Sequence, residues 1–196
     1  MMIRATRILL AVVATCFPFS SAASESWGYV DVRKGAHIFW WNYPANAPTP
    51  EILPTVMWLQ GGPGASGTGY GNFAEFGPLD WNLNPRNSTW LNAPVNILFV
   101  DSPVGAGYSY VEDINTQIPK TNVEIAADLV AVVSAYMKAN PAASKAPFFV
   151  FTESYGGKVS LMNQKEEEPP GIPSNLLPFP AILSSSQRWW LILPLP

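Results

Sequence analysis

The chain has 196 residues, 48% hydrophobic and 13% charged, with a formal net charge of −3. That balance is globular, neither disordered nor collagen-like, and the length suggests one domain at most. A charge so near neutral, with no basic cluster, gives no reason to expect nucleic acid, while 20 prolines and 13% aromatic residues predict long loops and a Trp-rich surface or groove.

Residues 1–23 read as a secretory signal peptide. Arg4 and Arg7 supply a positive start, Ile8 to Phe19 form an apolar stretch too short to span a membrane, and small residues permit cleavage near Ala23. A buried N-terminal helix is the competing reading. The only cysteine, Cys16, lies in this segment, so a mature chain would carry no thiol and no disulfide. The expected location is the secretory pathway, with a secreted or lysosomal fate and no membrane anchor. "NST" at Asn87 is the one glycosylation sequon and fits an exposed loop of such a protein.

Next, "WGYVDVRKGAHIFWWNY" alternates, turns at Arg33-Lys34-Gly35 and resumes as an apolar arm, which predicts an antiparallel hairpin. Thr55 to Leu59 form an apolar strand that ends in the glycine-rich "QGGPG". "NILFVDSPVGAGYSY" repeats that design, with an aspartate closing the strand. Runs apolar on both faces suit the middle of a parallel sheet. A helix follows, with Thr121 and Glu124 in a capping-box pattern and Ile125, Leu129, Val132, Val133 and Tyr136 on one face. Asn140-Pro141 stops it. "APFFVFTE" is another apolar strand, with Ser154 just past its end. Strand, helix, strand and turn in this order predict an α/β fold: a mixed, mostly parallel sheet with flanking helices.

Beyond Val159 the pattern fails. Seven of the prolines lie there, mixed with "EEE", "SSS" and "WWLILPLP". Residues 159–196 are expected to be an irregular, proline-rich tail, distinct from the domain over 24–158. The tail shows no pattern suited to supplying further sheet strands, so the "PFFVF" strand is expected to lack some of its usual neighbours, an aggregation risk at an open edge.

"TESYGG" has the form of a nucleophile elbow, in which a serine projects from a tight strand-to-helix turn flanked by small residues. Gly156 follows Ser154 by two places, but Thr152 stands where a glycine is usual two places before. A turn or cap serine is the bland reading. "QGGPG" changes the balance, because acyl transfer needs two backbone N–H groups aimed at a developing oxyanion. Gly62 could give one and Tyr155 the other. No metal cluster or cofactor motif accompanies them.

Together, "WLQGGPGASG", "DSPVGAGYSY" and "TESYGGK" resemble the serine carboxypeptidases, α/β-hydrolase peptidases of acidic compartments. "GAHIFWWNY" and "GNFAEFGPLDWNLNPRNSTW" fit as well, and the resemblance runs from about Trp27 to Lys158. It is most like the retinoid-inducible (vitellogenic-like) branch, in which Gln replaces the Asn that many relatives carry before "GGPG". The resemblance implies that Ser154 is the nucleophile and that Gly62 and Tyr155 form the oxyanion hole. It also implies that Trp58, Gln60, Gly61 and Glu153 surround the free carboxylate of a peptide or protein C-terminus, the implied substrate. A carboxylate beside Glu153 is tolerable where the pair shares a proton, which favours acidic conditions.

The departure concerns the base. In α/β-hydrolases the order is Ser, Asp or Glu, then His, yet no histidine or aspartate follows Ser154 in this sequence. The one histidine, His37, lies in the early apolar arm and reads as structural, while Asp101 at its strand end reads as structural or as lining the site, not as the triad acid. The chain is therefore expected to be the N-terminal part of an α/β-hydrolase, incomplete after the elbow and catalytically inactive alone. A truncated isoform that binds peptides without turnover, as a decoy, is the competing reading; an acyltransferase relative is another.

Overall fold

The computed structural model describes residues 25–45, 53–162 and 182–185. The signal-peptide and Cys16 expectations, and most of the tail, lie outside those residues.

The alternating arm forms β1 (Ser26–Arg33), and after the Lys34-Gly35 turn the chain returns as β2 (Ala36–Tyr43), with Trp27 opposite Trp41 and Tyr29 opposite Phe39. The alternation has a physical counterpart. Val30 and Val32 pack on the main core while Trp27 and Tyr29 face solvent. The apolar runs become β3 (Thr55–Leu59) and β4 (Asn96–Val100), buried nearly throughout, as strands covered on both faces must be. A two-residue strand β5 (Tyr110–Val111) pairs with the start of β2. β6 (Phe148–Glu153) lies parallel to β3.

With a last short strand, β7 (Ile182–Ser185), the sheet has seven strands among the described residues, in the order β1-β2-β4-β3-β6-β7 with β5 beside β2. β4, β3, β6 and β7 pair parallel, while β2 alone runs the other way and pairs antiparallel with β1, β4 and β5. This is the mixed, mostly parallel α/β sheet expected.

A one-turn helix α1 (Ile114–Gln117) precedes α2 (Asn122–Ala139). The capping box forms: the Glu124 N–H donates to Thr121 Oγ1 at 3.2 Å, and Glu124 Oε2 accepts from the Thr121 N–H at 3.1 Å. Ile125, Leu129, Val132, Val133 and Tyr136 are all buried against one face of the sheet. Truncating Leu129 to alanine there would cost about 2–5 kcal/mol. Asp128 shares that face at 1% exposure and accepts two bonds from Arg33 of β1, at 2.7 and 2.9 Å. On the other face Trp58, Phe99, Ile97 and Tyr43 pack with Phe76 and Trp90 beneath a π-helical segment, Gly67–Phe76.

Part of the segment read as an irregular tail takes regular structure. α3 (Tyr155–Met162) carries helix past Val159, and within the tail β7 (Ile182–Ser185) pairs parallel with β6, Val150 opposite Ile182 through Glu153 opposite Ser185. β6 therefore has neighbours on both sides. Ladder hydrogen bonds are made by backbone groups, so a four-residue strand can form without the side-chain period that sequence reading relies on.

Candidate functional site

Ser154 stands between the last residue of β6 and the first of α3, so the chain changes from strand to helix across one residue. Its φ is +49°, a conformation uncommon for a residue with a Cβ, and its side chain is exposed at the sheet's C-terminal end. That is the nucleophile-elbow geometry. A Cβ on Gly156 would lie 3.0 Å from the Leu59 carbonyl oxygen and 3.1 Å from the Cβ of Thr152. The same contact accounts for Thr152. The side chain two places before the serine fits because the residue two places after has none.

The "QGGPG" loop leaves β3 beside the elbow. A Cβ on Gly61 would lie 2.9 Å from the Ser154 Cβ and 3.5 Å from the Tyr155 nitrogen, so this backbone runs directly against Ser154. The Gly62 N–H makes no backbone hydrogen bond among the described residues, and the Tyr155 N–H belongs to the first turn of α3, where amides lack helical partners. The Tyr155 hydroxyl donates to Asn122 Oδ1 at the start of α2, and Lys158 Nζ lies 5.7 Å from the centre of its ring. The elbow is thereby tied to the helix beside it. A small cavity behind it is lined by Leu59, Gln60, Pro63, Gly156 and Val159 among others.

Gln60 organises the charged side of the site. Its Oε1 accepts from the Trp58 indole N–H at 2.7 Å, which fixes the amide so that Nε2 faces two carboxylates. Nε2 donates to Glu153 Oε2 at 2.5 Å and lies 3.5 Å from Glu75 Oε1. Trp58, Gln60, Gly61 and Glu153, singled out from the sequence, thus come together beside Ser154. Glu75 was not foreseen. Burial, then the charge of Glu153, holds its carboxyl above the ordinary glutamate range, and its Oε2 is buried with no hydrogen-bond partner. The available signal was a lone acid amid "GNFAEFG". Arg86 was missed too: its guanidinium donates to the carbonyls of Phe73, Glu75 and Leu79 at 2.6, 3.2 and 3.3 Å, which fixes the segment that carries Glu75.

The other acid and base are elsewhere. Asp101 is fully buried, and its carboxylate accepts from Ser66 Oγ, the Thr68 N–H, Thr68 Oγ1 and the Tyr108 N–H at 2.7–2.9 Å. Its acceptor positions are spent on joining two loops, as the structural reading requires. His37 sits in β2, three strands from β6 and so about 14 Å across the sheet. Its Nδ1 is 2.6 Å from Asp31 Oδ1, and its ring stacks on Tyr110 at 4.5 Å. Asn87 lies exposed in the loop after the π-helical segment. Among the described residues no cluster of His, Cys, Asp and Glu could hold a metal ion, and no helix is long and apolar enough to cross a membrane.

Comparison with known proteins agrees with this geometry. The serine carboxypeptidase family model, Peptidase_S10, matches residues 17–163. The chain is 48% identical over 138 residues to the retinoid-inducible serine carboxypeptidase of Mus musculus, covering 69% of this chain and 30% of the relative. It is 45% identical over 166 residues to serine carboxypeptidase-like 51 of Arabidopsis thaliana, covering 79% of this chain and 36% of the relative. The chain therefore spans about a third of the length of these relatives. In fold it resembles Kex1, a prohormone-processing carboxypeptidase from Saccharomyces cerevisiae, with a TM-score of 0.62 and 22% identity over 82% of this chain and 38% of that one. With the family model spanning the turn at Ser154, the "QGGPG" loop and the carboxylate cluster alike, the chain belongs to the serine carboxypeptidase family.

Proposed function

We propose that the described site is the nucleophile and carboxylate-recognition half of a serine-type carboxypeptidase that cleaves C-terminal residues through an acyl-enzyme at acidic pH. The observation that carries this reading is the meeting of Ser154, at its positive-φ turn, with the Gln60–Glu153–Glu75 cluster across Gly61. In the reaction Ser154 Oγ attacks the terminal peptide carbonyl. The N–H groups of Gly62 and Tyr155 stabilise the oxyanion, and a general base relays the proton Ser154 Oγ gives up to the departing amine. Gln60, the Gly61 backbone and Trp58 hold the free carboxylate. Glu75, whose carboxyl burial and Glu153 hold above the ordinary range, is the group suited to donate to it, which keeps three carboxyls from being ionised together.

The 196-residue polypeptide itself is proposed to bind but not turn over substrate. Its one histidine is three strands from the elbow, and Asp101 is saturated by other donors. A peptide-binding role without catalysis, in the secretory pathway and with glycan on the exposed Asn87, is the form this reading takes for the chain as given.

Two measurements test it. A peptide with a free C-terminus should bind the purified chain more tightly than its amide at about pH 5, since only the acid makes charge-assisted bonds. A fluorophosphonate probe should label Ser154 slowly at most, because an oxyanion hole retains some activity without its base. Equal binding of acid and amide would refute the carboxylate site. Ser154-dependent hydrolysis of a blocked dipeptide would refute the inactivity.

A further inference from the structure

Away from the elbow, the hairpin presents an unusual surface. β1 ends the sheet, with β2 as its only strand partner among the described residues. It is eight residues long and contains neither proline nor lysine, the residues that commonly protect an edge from strand addition. Its outward side chains at alternate positions are Trp27, Tyr29 and Asp31, spaced about 6.7 Å apart along the strand.

These residues belong to a fixed aromatic layer. Tyr29 packs on Phe39 at 5.1 Å and on Tyr110 at 5.5 Å, and its hydroxyl donates to the Tyr108 carbonyl at 3.1 Å. Trp27 packs on Trp41 at 6.2 Å. Despite these contacts Trp27 is 61% exposed and Tyr29 50%, so large apolar area faces water on side chains already ordered by their neighbours. Such pre-organised rings lose little entropy on binding.

The charges beside them share one sign. Asp31 and Glu112 flank His37 with their side chains 81% and 67% exposed, and Glu25 accepts from the Trp41 indole at 3.0 Å. The turn residue Lys34 is the nearby opposite charge in sequence, while Arg33 is committed to Asp128 on the other face.

We propose that this edge and face form a docking site for an extended, basic segment of a partner protein. The segment adds as a strand to β1, and its alternate side chains lie over the aromatic layer. Arginine is the side chain the surface fits, because one guanidinium can stack on Tyr29 or Trp27 while pairing with Asp31 or Glu112. Main-chain pairing supplies affinity and the alternate positions supply selection. A second copy of this chain fits less well, since it brings the same carboxylates to the same seam.

The test uses the full chain and a fluorescent ten-residue peptide alternating arginine with valine, acetylated and amidated. The amide removes the free C-terminus, so the result does not depend on the carboxylate site at Gln60. Anisotropy at low salt should show saturable binding that weakens as salt is raised. The same peptide with glutamate for arginine should not bind. Asp31→Asn, which keeps an acceptor for His37, should weaken binding about threefold. Trp27→Ala should weaken it about tenfold. Both variants should retain the parent circular-dichroism spectrum. No saturation below about 1 mM overturns the proposal. So does equal binding of the glutamate peptide, or affinity unchanged in both variants. A concentration-dependent dimer abolished by Trp27→Ala also overturns it, by assigning the face to a second copy.

Discussion

Gln60 Nε2 donates to Glu153 Oε2 at 2.5 Å while the other end of the same amide accepts from the Trp58 indole. Because Gln60 is only 7% exposed, both ends depend on this one side chain. Gln60→Leu would leave the buried indole N–H without its partner and bring two carboxylates together without a donor between them. An unsatisfied buried group costs about 1–3 kcal/mol, which chemical denaturation should register as loss of stability. The variant should also lose its preference for a free C-terminus over an amide. Unchanged stability would mean that water replaces the amide at no cost.

Glu75 carries a pH prediction of definite sign. Its carboxyl is held above the ordinary value of 4.5 by burial and by Glu153. As pH rises past that value the unfolded chain loses the proton first, so the folded state holds more protons and stability falls. The fall continues until pH passes the raised folded value. Glu75→Gln removes it. Denaturation midpoints of parent and variant should therefore differ least in acid and diverge in the variant's favour toward neutral pH. A gap that widens toward acid would reverse the assignment.

The sequence foretold features with local causes. Alternation marked the hairpin, unbroken apolar runs marked β3, β4 and β6, and Thr121 with Glu124 marked the start of α2. The tight turn at Ser154 and the glycine-rich loop beside it were legible because close backbone approach demands small residues, and these leave a spacing. What stayed hidden depends on distant pairing. Glu75 gains its meaning from Gln60 and Glu153, which are 15 and 78 positions away, and nothing local distinguishes it from a solvated acid. Asp128 interrupts the apolar face of α2 and is intelligible only with Arg33, 95 residues earlier. β7 was hidden for another reason, since its pairing with β6 rests on backbone groups that every sequence has.

The Arg33–Asp128 pair ties the hairpin to α2. Asp128 is 1% exposed and Arg33 35%, so the aspartate depends on the guanidinium far more than the reverse. Arg33→Ala would strand a buried carboxylate and should cost about 3 kcal/mol. Replacing both, as Arg33→Met with Asp128→Leu, removes the stranded charge and should recover most of that loss. A double variant no better than Arg33→Ala would show that the pair contributes through hydrogen bonding that apolar packing cannot replace.

Asp101 tests the difference between a structural acid and a catalytic one. Four donors converge on its two oxygens: Ser66 Oγ and the Thr68 N–H on Oδ1, Thr68 Oγ1 and the Tyr108 N–H on Oδ2. Ser66 and Thr68 follow the oxyanion loop, and Tyr108 follows β4, so one carboxylate fixes the start of the π-helical segment to the neighbouring loop. Asp101→Ala leaves two backbone amides and two hydroxyls without their acceptor, and should cost more than about 4 kcal/mol. Asp101→Asn keeps the shape but converts one acceptor into a donor that faces other donors, so it should still destabilise strongly. A triad acid behaves differently, because its amide variant commonly keeps the fold and loses only rate. Denaturation of Asp101→Asn therefore decides the matter. A fold as stable as the parent would remove Asp101 from the structural role and return it to the chemistry.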